Sequence, residues 1–144
     1  MVEKIKDLVF EEMEYDHGWT KTENLPFLNK LCKVEILVKC SSEDKAILDQ
    51  QREGYKYFVE NHEKINSEIP ELIQNYIDKN KEEIRYYYTE IDNITNLSDI
   101  IRPRTLLFNR DGSIVFLCEV PWDEKGMGIQ VYPEYKIDIQ GGFI

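Results

Sequence analysis

Cysteine, proline, glycine and histidine are all scarce in this chain, and each shortage excludes something. The three cysteines, Cys32, Cys40 and Cys118, are an odd and sparse set without a C-x-x-C pair. That excludes a disulfide framework and points to a reducing compartment. Five prolines and seven glycines lie scattered, which argues against a disordered low-complexity chain. Long apolar runs are missing, so no membrane span is expected, and the opening MVEKIKDLVFEEMEY does not read as a signal peptide. The cytoplasm of a bacterium is the expected location.

Positive charge is also short. Eighteen basic residues face 28 acidic ones, a net charge of −10. Such a field repels phosphate backbones and anionic lipid, so neither nucleic acid nor membrane is expected as a partner. The same field speeds encounter with a protein that presents a basic surface.

What is present suffices for a core. Hydrophobic residues make up 42% of 144, with nine tyrosines and six phenylalanines as bulky filling. This is the size of one ordinary domain, and residues 1–144 are read as one. In its first half, Asp7 to Tyr15 reads as a strand, with a turn at Asp16-His17-Gly18 and a second strand entering at Trp19. Leu25-Pro26-Phe27 reads as a connection. Leu31 to Cys40 alternates, with Cys32, Val34, Ile36, Val38 and Cys40 on one face, and predicts a strand with one buried side.

Ser41 to Asp44 offers caps for a helix over Ala46 to Asn61. A second helix follows on Ile65, Ile69, Leu72, Ile73, Tyr76 and Ile77, with Pro70 as a kink or a fresh start. Ile84 to Ile94 fits neither period. Leu97 to Ile101 reads as one helical turn started by Asn96 or Ser98 and ended by Pro103. Thr105 to Phe108 and Ser113 to Val120 flank Asn109-Arg110-Asp111-Gly112 and predict a hairpin. Turns at Pro121 to Gly126 and Tyr132 to Glu134 then separate strands at Met127 to Val131 and Tyr135 to Ile139. The expectation is an α+β fold: an antiparallel sheet in the order β-β-β-α-α-β-β-β-β, with two main helices packed on one face.

Catalytic and metal-binding patterns are few. His17 sits in a turn and His62 at a helix junction; there is no G-x-S-x-G elbow, and Gly126-Met127-Gly128 lacks the strand-then-helix context of a phosphate loop. The cysteines and histidines show no paired ligand spacing, so neither a metal nor a cofactor is expected. Adjacent carboxylates such as Asp123-Glu124 follow from acidic composition. Trp19, Trp122, Asp123 and Glu124 form the candidate binding set, because indoles supply contact area and neighbouring carboxylates steer a basic partner. The opposing reading is that each tryptophan plugs the end of the sheet core.

Two motifs carry a resemblance: the helix opening Gln50-Gln51-Arg52-Glu53-Gly54-Tyr55-Lys56-Tyr57-Phe58, and the tail Cys118-Glu119-Val120-Pro121-Trp122-Asp123-Glu124-Lys125-Gly126-Met127-Gly128-Ile129. With the tryptophan-bearing N-terminal hairpin, they resemble a bacterial domain family of unknown function, over about Val9 to Ile139. Its members are small acidic α+β proteins with a glutamine-led aromatic helix and a Trp-Asp-Glu…Gly-x-Gly tail. Many of those relatives carry a histidine beside the tail glycine where this chain has Lys125, so no role of such a histidine carries over. The resemblance implies no activity and no catalytic residue. In size and acidity these proteins are similar to immunity proteins encoded beside bacterial toxins.

The leading expectation is therefore a non-catalytic, immunity-like module that engages a basic protein partner. A hydrolase-like enzyme using Asp123, Glu124 and His17 is the alternative. A homo-oligomer paired through an exposed edge of the closing meander is a third.

Overall fold

The structure is a computed structural model that describes residues 2–143. Its eight strands form one sheet in which each is hydrogen-bonded to its neighbours in sequence. β1 (Lys4–Asp7), β2 (Glu11–Tyr15), β3 (Trp19–Phe27) and β4 (Lys30–Val38) make a first meander. β5 (Arg102–Phe108), β6 (Ile114–Val120), β7 (Asp123–Tyr132) and β8 (Lys136–Ile139) make a second. Between them run α1 (Asp49–Lys79), α2 (Lys81–Tyr87) and 3₁₀ turns at Thr89–Asn93 and Leu97–Asp99. The fold is α+β, as expected.

The sheet differs from an all-antiparallel one at its centre. β4 and β5 pair in parallel, from Glu35 opposite Thr105 to Val38 opposite Phe108, while every other pair is antiparallel. A parallel joint needs a long crossover, and the helical segment supplies it.

The first meander holds four strands where the sequence pattern predicts three. The side chain of Asp7 accepts the backbone N–H groups of Val9 and Phe10 at 2.9 and 3.0 Å, which folds the expected single strand into the β1–β2 hairpin. Leu25-Pro26-Phe27 is not a connection but the end of β3. The chain turns instead at Leu28-Asn29, both with positive φ, between the paired residues Phe27 and Lys30. Pro26 is tolerated because β3 has a neighbour on one side only at that point.

The helices differ too. Ser41 to Asp44 forms a turn rather than a cap, and α1 begins at Asp49. It runs through Pro70; its one break in helical dihedrals is at Asn61 (φ −114°, ψ 15°). Its buried stripe of Gln51, Gly54, Phe58, Ile65, Ile69, Ile73 and Ile77 steps by three, four and seven across the sheet. It meets Val34, Ile36, Val38, Leu106, Phe108, Ile114, Phe116 and Ile129, the sheet's main buried face. The opposite face keeps a small cluster, Leu107, Val115 and Leu117, with Leu37 and Phe143 packed against it.

At the far end, β7 begins at Asp123 rather than Met127. Pro121-Trp122 alone forms the turn, because Val120 already pairs with Asp123.

Candidate functional site

Neither tryptophan offers its face to solvent. Trp19 is 2% exposed, stacks edge-on to Tyr15 at 5.2 Å, and donates its indole N–H to the Lys45 carbonyl at 2.7 Å. It closes the sheet where β3 meets β4 and ties down the loop leading to α1. Trp122 is 9% exposed and packs into the core from the β6–β7 turn. The strand register places the two at opposite ends: Trp19 pairs with Val38, level with Phe108 and Ile114, whereas Trp122 follows Val120 at the other end of β6. The burial of both indoles favours the reading in which each plugs an end of the sheet core over the one in which they anchor a partner. Asp123 accepts the Lys125 N–H at 2.9 Å and shapes the strand entry, and Glu124 is exposed. His17, with its side chain 97% exposed, lies in the turn before Trp19. The enzyme alternative thus loses its constellation, since His17 and the Asp123-Glu124 pair lie at opposite ends of the sheet. Among the described residues no group of three or more His, Cys, Asp or Glu side chains is placed to hold a metal.

What the fold does assemble lies between β3 and α1. A half-open cleft of about 220 Å³ is lined by Glu23, Leu25 and Pro26 from the strand and by Tyr55, Phe58, Val59, His62 and Asn66 from the helix. Helical spacing explains the set: 55, 59, 62 and 66 form a second stripe beside the buried one. The break at Asn61 shapes this wall. Asn61 donates its side-chain N–H to the Tyr57 carbonyl at 2.9 Å, and His62 Nδ1 lies 2.9 Å from the Val59 carbonyl, so side chains cap carbonyls around the kink.

One end of the cleft is rigidly charged. Lys21 donates to the Phe10 carbonyl at 2.6 Å and to the Tyr55 hydroxyl at 3.2 Å, and pairs with Glu23 at 2.8 Å; the Tyr55 hydroxyl donates to Glu23 at 3.0 Å. Burial by itself would lower the Lys21 pKa, but its hydrogen bonds to Glu23 and Tyr55 and the Glu23 charge outweigh it and hold the ammonium above its ordinary value. Burial chiefly raises Tyr55, which stays a neutral hydroxyl. These groups position one another, and none is left as a free base or nucleophile.

Along the same side, β2 pairs with β3 only at Trp19 and Thr20. From Lys21 to Phe27 no strand among the described residues pairs with that edge, and Thr22, Asn24 and Pro26 are exposed. Val59, 53% exposed, stands at the rim of the cleft.

The glutamine-led motif is structural. Gln51 is fully buried and donates its amide N–H groups to the carbonyls of Lys39 (2.7 Å) and Phe108 (3.0 Å), joining the ends of the parallel strands to α1. Its Oε1 accepts the Leu48 N–H at 2.8 Å. Gln50 donates to the Arg110 carbonyl. Arg52 grips Asp7 at 2.8 and 3.0 Å. Gly54 lies against Ile114 and the Gly112 carbonyl, from which a Cβ would stand 3.4 and 3.5 Å, ordinary contact distances.

The model of one protein family, described as Domain of unknown function (DUF6985), matches residues 9–140. The chain belongs to this family. Both the glutamine-led helix and the Trp-Asp-Glu tail fall inside the matched span. No curated protein and no solved structure matches the chain. For this DUF6985 chain the helix motif is accounted for by the joint between helix and sheet. The cleft had a legible signal in the stripe from Tyr55 to Asn66, but its other wall was hidden because Pro26 reads as a turn residue.

Proposed function

We propose that this chain is a non-catalytic protein-binding module that takes an extended segment of a partner along the free edge of β3. The observation that carries the reading is the unpaired edge from Lys21 to Phe27 beside an open apolar cleft. An added strand satisfies edge N–H and C=O groups, and side-chain pockets beside it give specificity. The cleft exceeds the ~150 Å³ of an apolar cavity that admits benzene, so one large side chain fits. The net charge of −10 favours a segment rich in Lys and Arg and repels acidic competitors.

The test is selection of peptides from a random library on the immobilised full chain, with Val59→Glu as counter-selection. The expected outcome is enrichment of basic peptides that carry a large apolar residue, weakened about tenfold or more by the substitution. Enrichment no greater than on an unrelated acidic protein, or enrichment indifferent to Val59→Glu, would overturn the proposal.

A further inference from the structure

The free edge of β3 has a fixed hydrogen-bonding phase. Leu28 and Asn29, at φ 50° and 64°, form a two-residue turn, so Phe27 and Lys30 are a hydrogen-bonded pair. Antiparallel alternation then commits the N–H and C=O groups of Phe27, Leu25, Glu23 and Lys21 to β4, and turns those of the residues between them outward. Two contacts at the start of the strand agree: Gly18 accepts the Asp16 N–H at 2.8 Å, and Thr20 stands opposite Glu14 of β2. Past Thr20 the outward groups belong to Thr22 and Asn24, each with a donor and an acceptor, and to Pro26, which has an acceptor only. The cleft beside this edge is chemically ordered. At its Glu23 end the Lys21 ammonium and the Tyr55 hydroxyl both meet Oε1, and among the described residues no hydrogen bond reaches Oε2. Two residues on, Leu25 shares the wall with Phe58 and Val59.

Resting on the edge reading above, we infer that the bound segment runs antiparallel to β3 and is recognised by one ordered signature: a large apolar residue, any residue, then arginine or lysine. β2 enters the lane beside β3 only at Glu14 and runs antiparallel, so the segment fills the empty start of that lane in the same direction. Antiparallel pairing is also slightly the stronger kind per residue. Thr22 and Asn24 then bond to segment residues whose side chains lie on the face away from α1. The residues opposite Leu25 and Glu23 turn theirs into the cleft. The antiparallel direction puts the partner of Leu25 first, against apolar walls. The partner of Glu23 comes two positions later and brings a donor to the open Oε2, a task suited to the guanidinium fork. Parallel addition would reverse that order. It would also shift the bonding by one residue, so that the cleft-facing residues carried the bonded N–H groups.

The experiment titrates the full chain with acetyl-Thr-Phe-Thr-Arg-Thr-amide and with the reversed sequence acetyl-Thr-Arg-Thr-Phe-Thr-amide, followed by amide chemical shifts. The expected result is saturable shifts at Thr22, Asn24 and Val59, with the first peptide binding about tenfold more tightly or more. N-methylation then reads the phase without altering the protein. A methyl on the central threonine of the first peptide, whose N–H meets Asn24, should abolish binding. A methyl on its phenylalanine, whose N–H points away from β3, should leave binding nearly unchanged. Preference for the reversed peptide, or loss of binding on methylating the phenylalanine rather than the threonine, overturns the inference and leaves the edge reading standing. Saturable binding by neither peptide overturns it too. The edge reading then falls only if the library selection also yields nothing that Val59→Glu weakens.

Discussion

Gln51 is where a single side chain decides most. The two carbonyls it serves lie at the end of the β4–β5 pair, the one parallel pair among the described residues, and the bond to Phe108 is buried beneath α1. Gln51→Leu keeps the volume and removes both donors. The Phe108 carbonyl keeps the Lys39 N–H at 3.1 Å, so the groups left without their partner are the Lys39 carbonyl and the Leu48 N–H; at roughly 1–3 kcal/mol each, a loss of about 2–4 kcal/mol is expected in urea unfolding. Asp7 makes a second residue-scale prediction. Its side chain is 4% exposed; burial would raise its pKa, but Arg52 and the N–H groups of Phe10 and Val9 outweigh that and hold it below its ordinary 3.8. A carboxylate lowered by folding adds stability that is complete above the unfolded value and is lost as pH falls through the folded one. The urea midpoint should therefore drop more steeply below about pH 4 in the native chain than in Asp7→Asn, which lacks the titration. Equal slopes for the two proteins would show that Asp7 contributes nothing to acid unfolding.

At the scale of elements, α1 carries a proline it does not bend around. Pro70 lacks the N–H that the Asn66 carbonyl would take, yet the dihedral break falls at Asn61. Alanine at 70 restores the bond and removes about 3 kcal/mol of helix-interior penalty, offset by about 0.4–1 kcal/mol because alanine frees the unfolded chain. Pro70→Ala should stabilise the protein by about 2–2.6 kcal/mol, with slower amide exchange in the turn around it. A destabilised variant would mean that the ring's packing outweighs the restored backbone bond. The positions of such elements were only partly legible. The alternation of Val34, Ile36 and Val38 and the Asp111-Gly112 turn announce their strands, because both signals are local. The division of Asp7 to Tyr15 into two strands was not, because one carboxylate folding back on two N–H groups leaves little trace in hydrophobic pattern.

For the molecule as a whole, net charge sets the response to salt. With −10 spread over 144 residues, self-repulsion opposes the compact state at low salt. Raising sodium chloride from about 0.01 to about 0.15 M shortens the screening length from about 30 to about 8 Å. The thermal midpoint should rise by about 2–4 °C, corresponding to about 1 kcal/mol. A fall would indicate that the ion pairs, Arg52 with Asp7 and Lys21 with Glu23 among them, outweigh the repulsion. The same screening should slow association with a basic partner while leaving dissociation nearly unchanged.

Composition and local spacing alone determined the acidic field, the α+β class, the amphipathic stripes of α1 and the hairpins of the second meander, because each depends on neighbours within a few residues. Three things were decided only when distant segments met: the parallel joint of β4 and β5, the burial of Trp19 and Trp122, and the opening between β3 and α1. Strand pairing and side-chain burial are set by whatever packs from elsewhere in the chain, and a tryptophan in a turn reads the same in sequence whether a helix or water covers it.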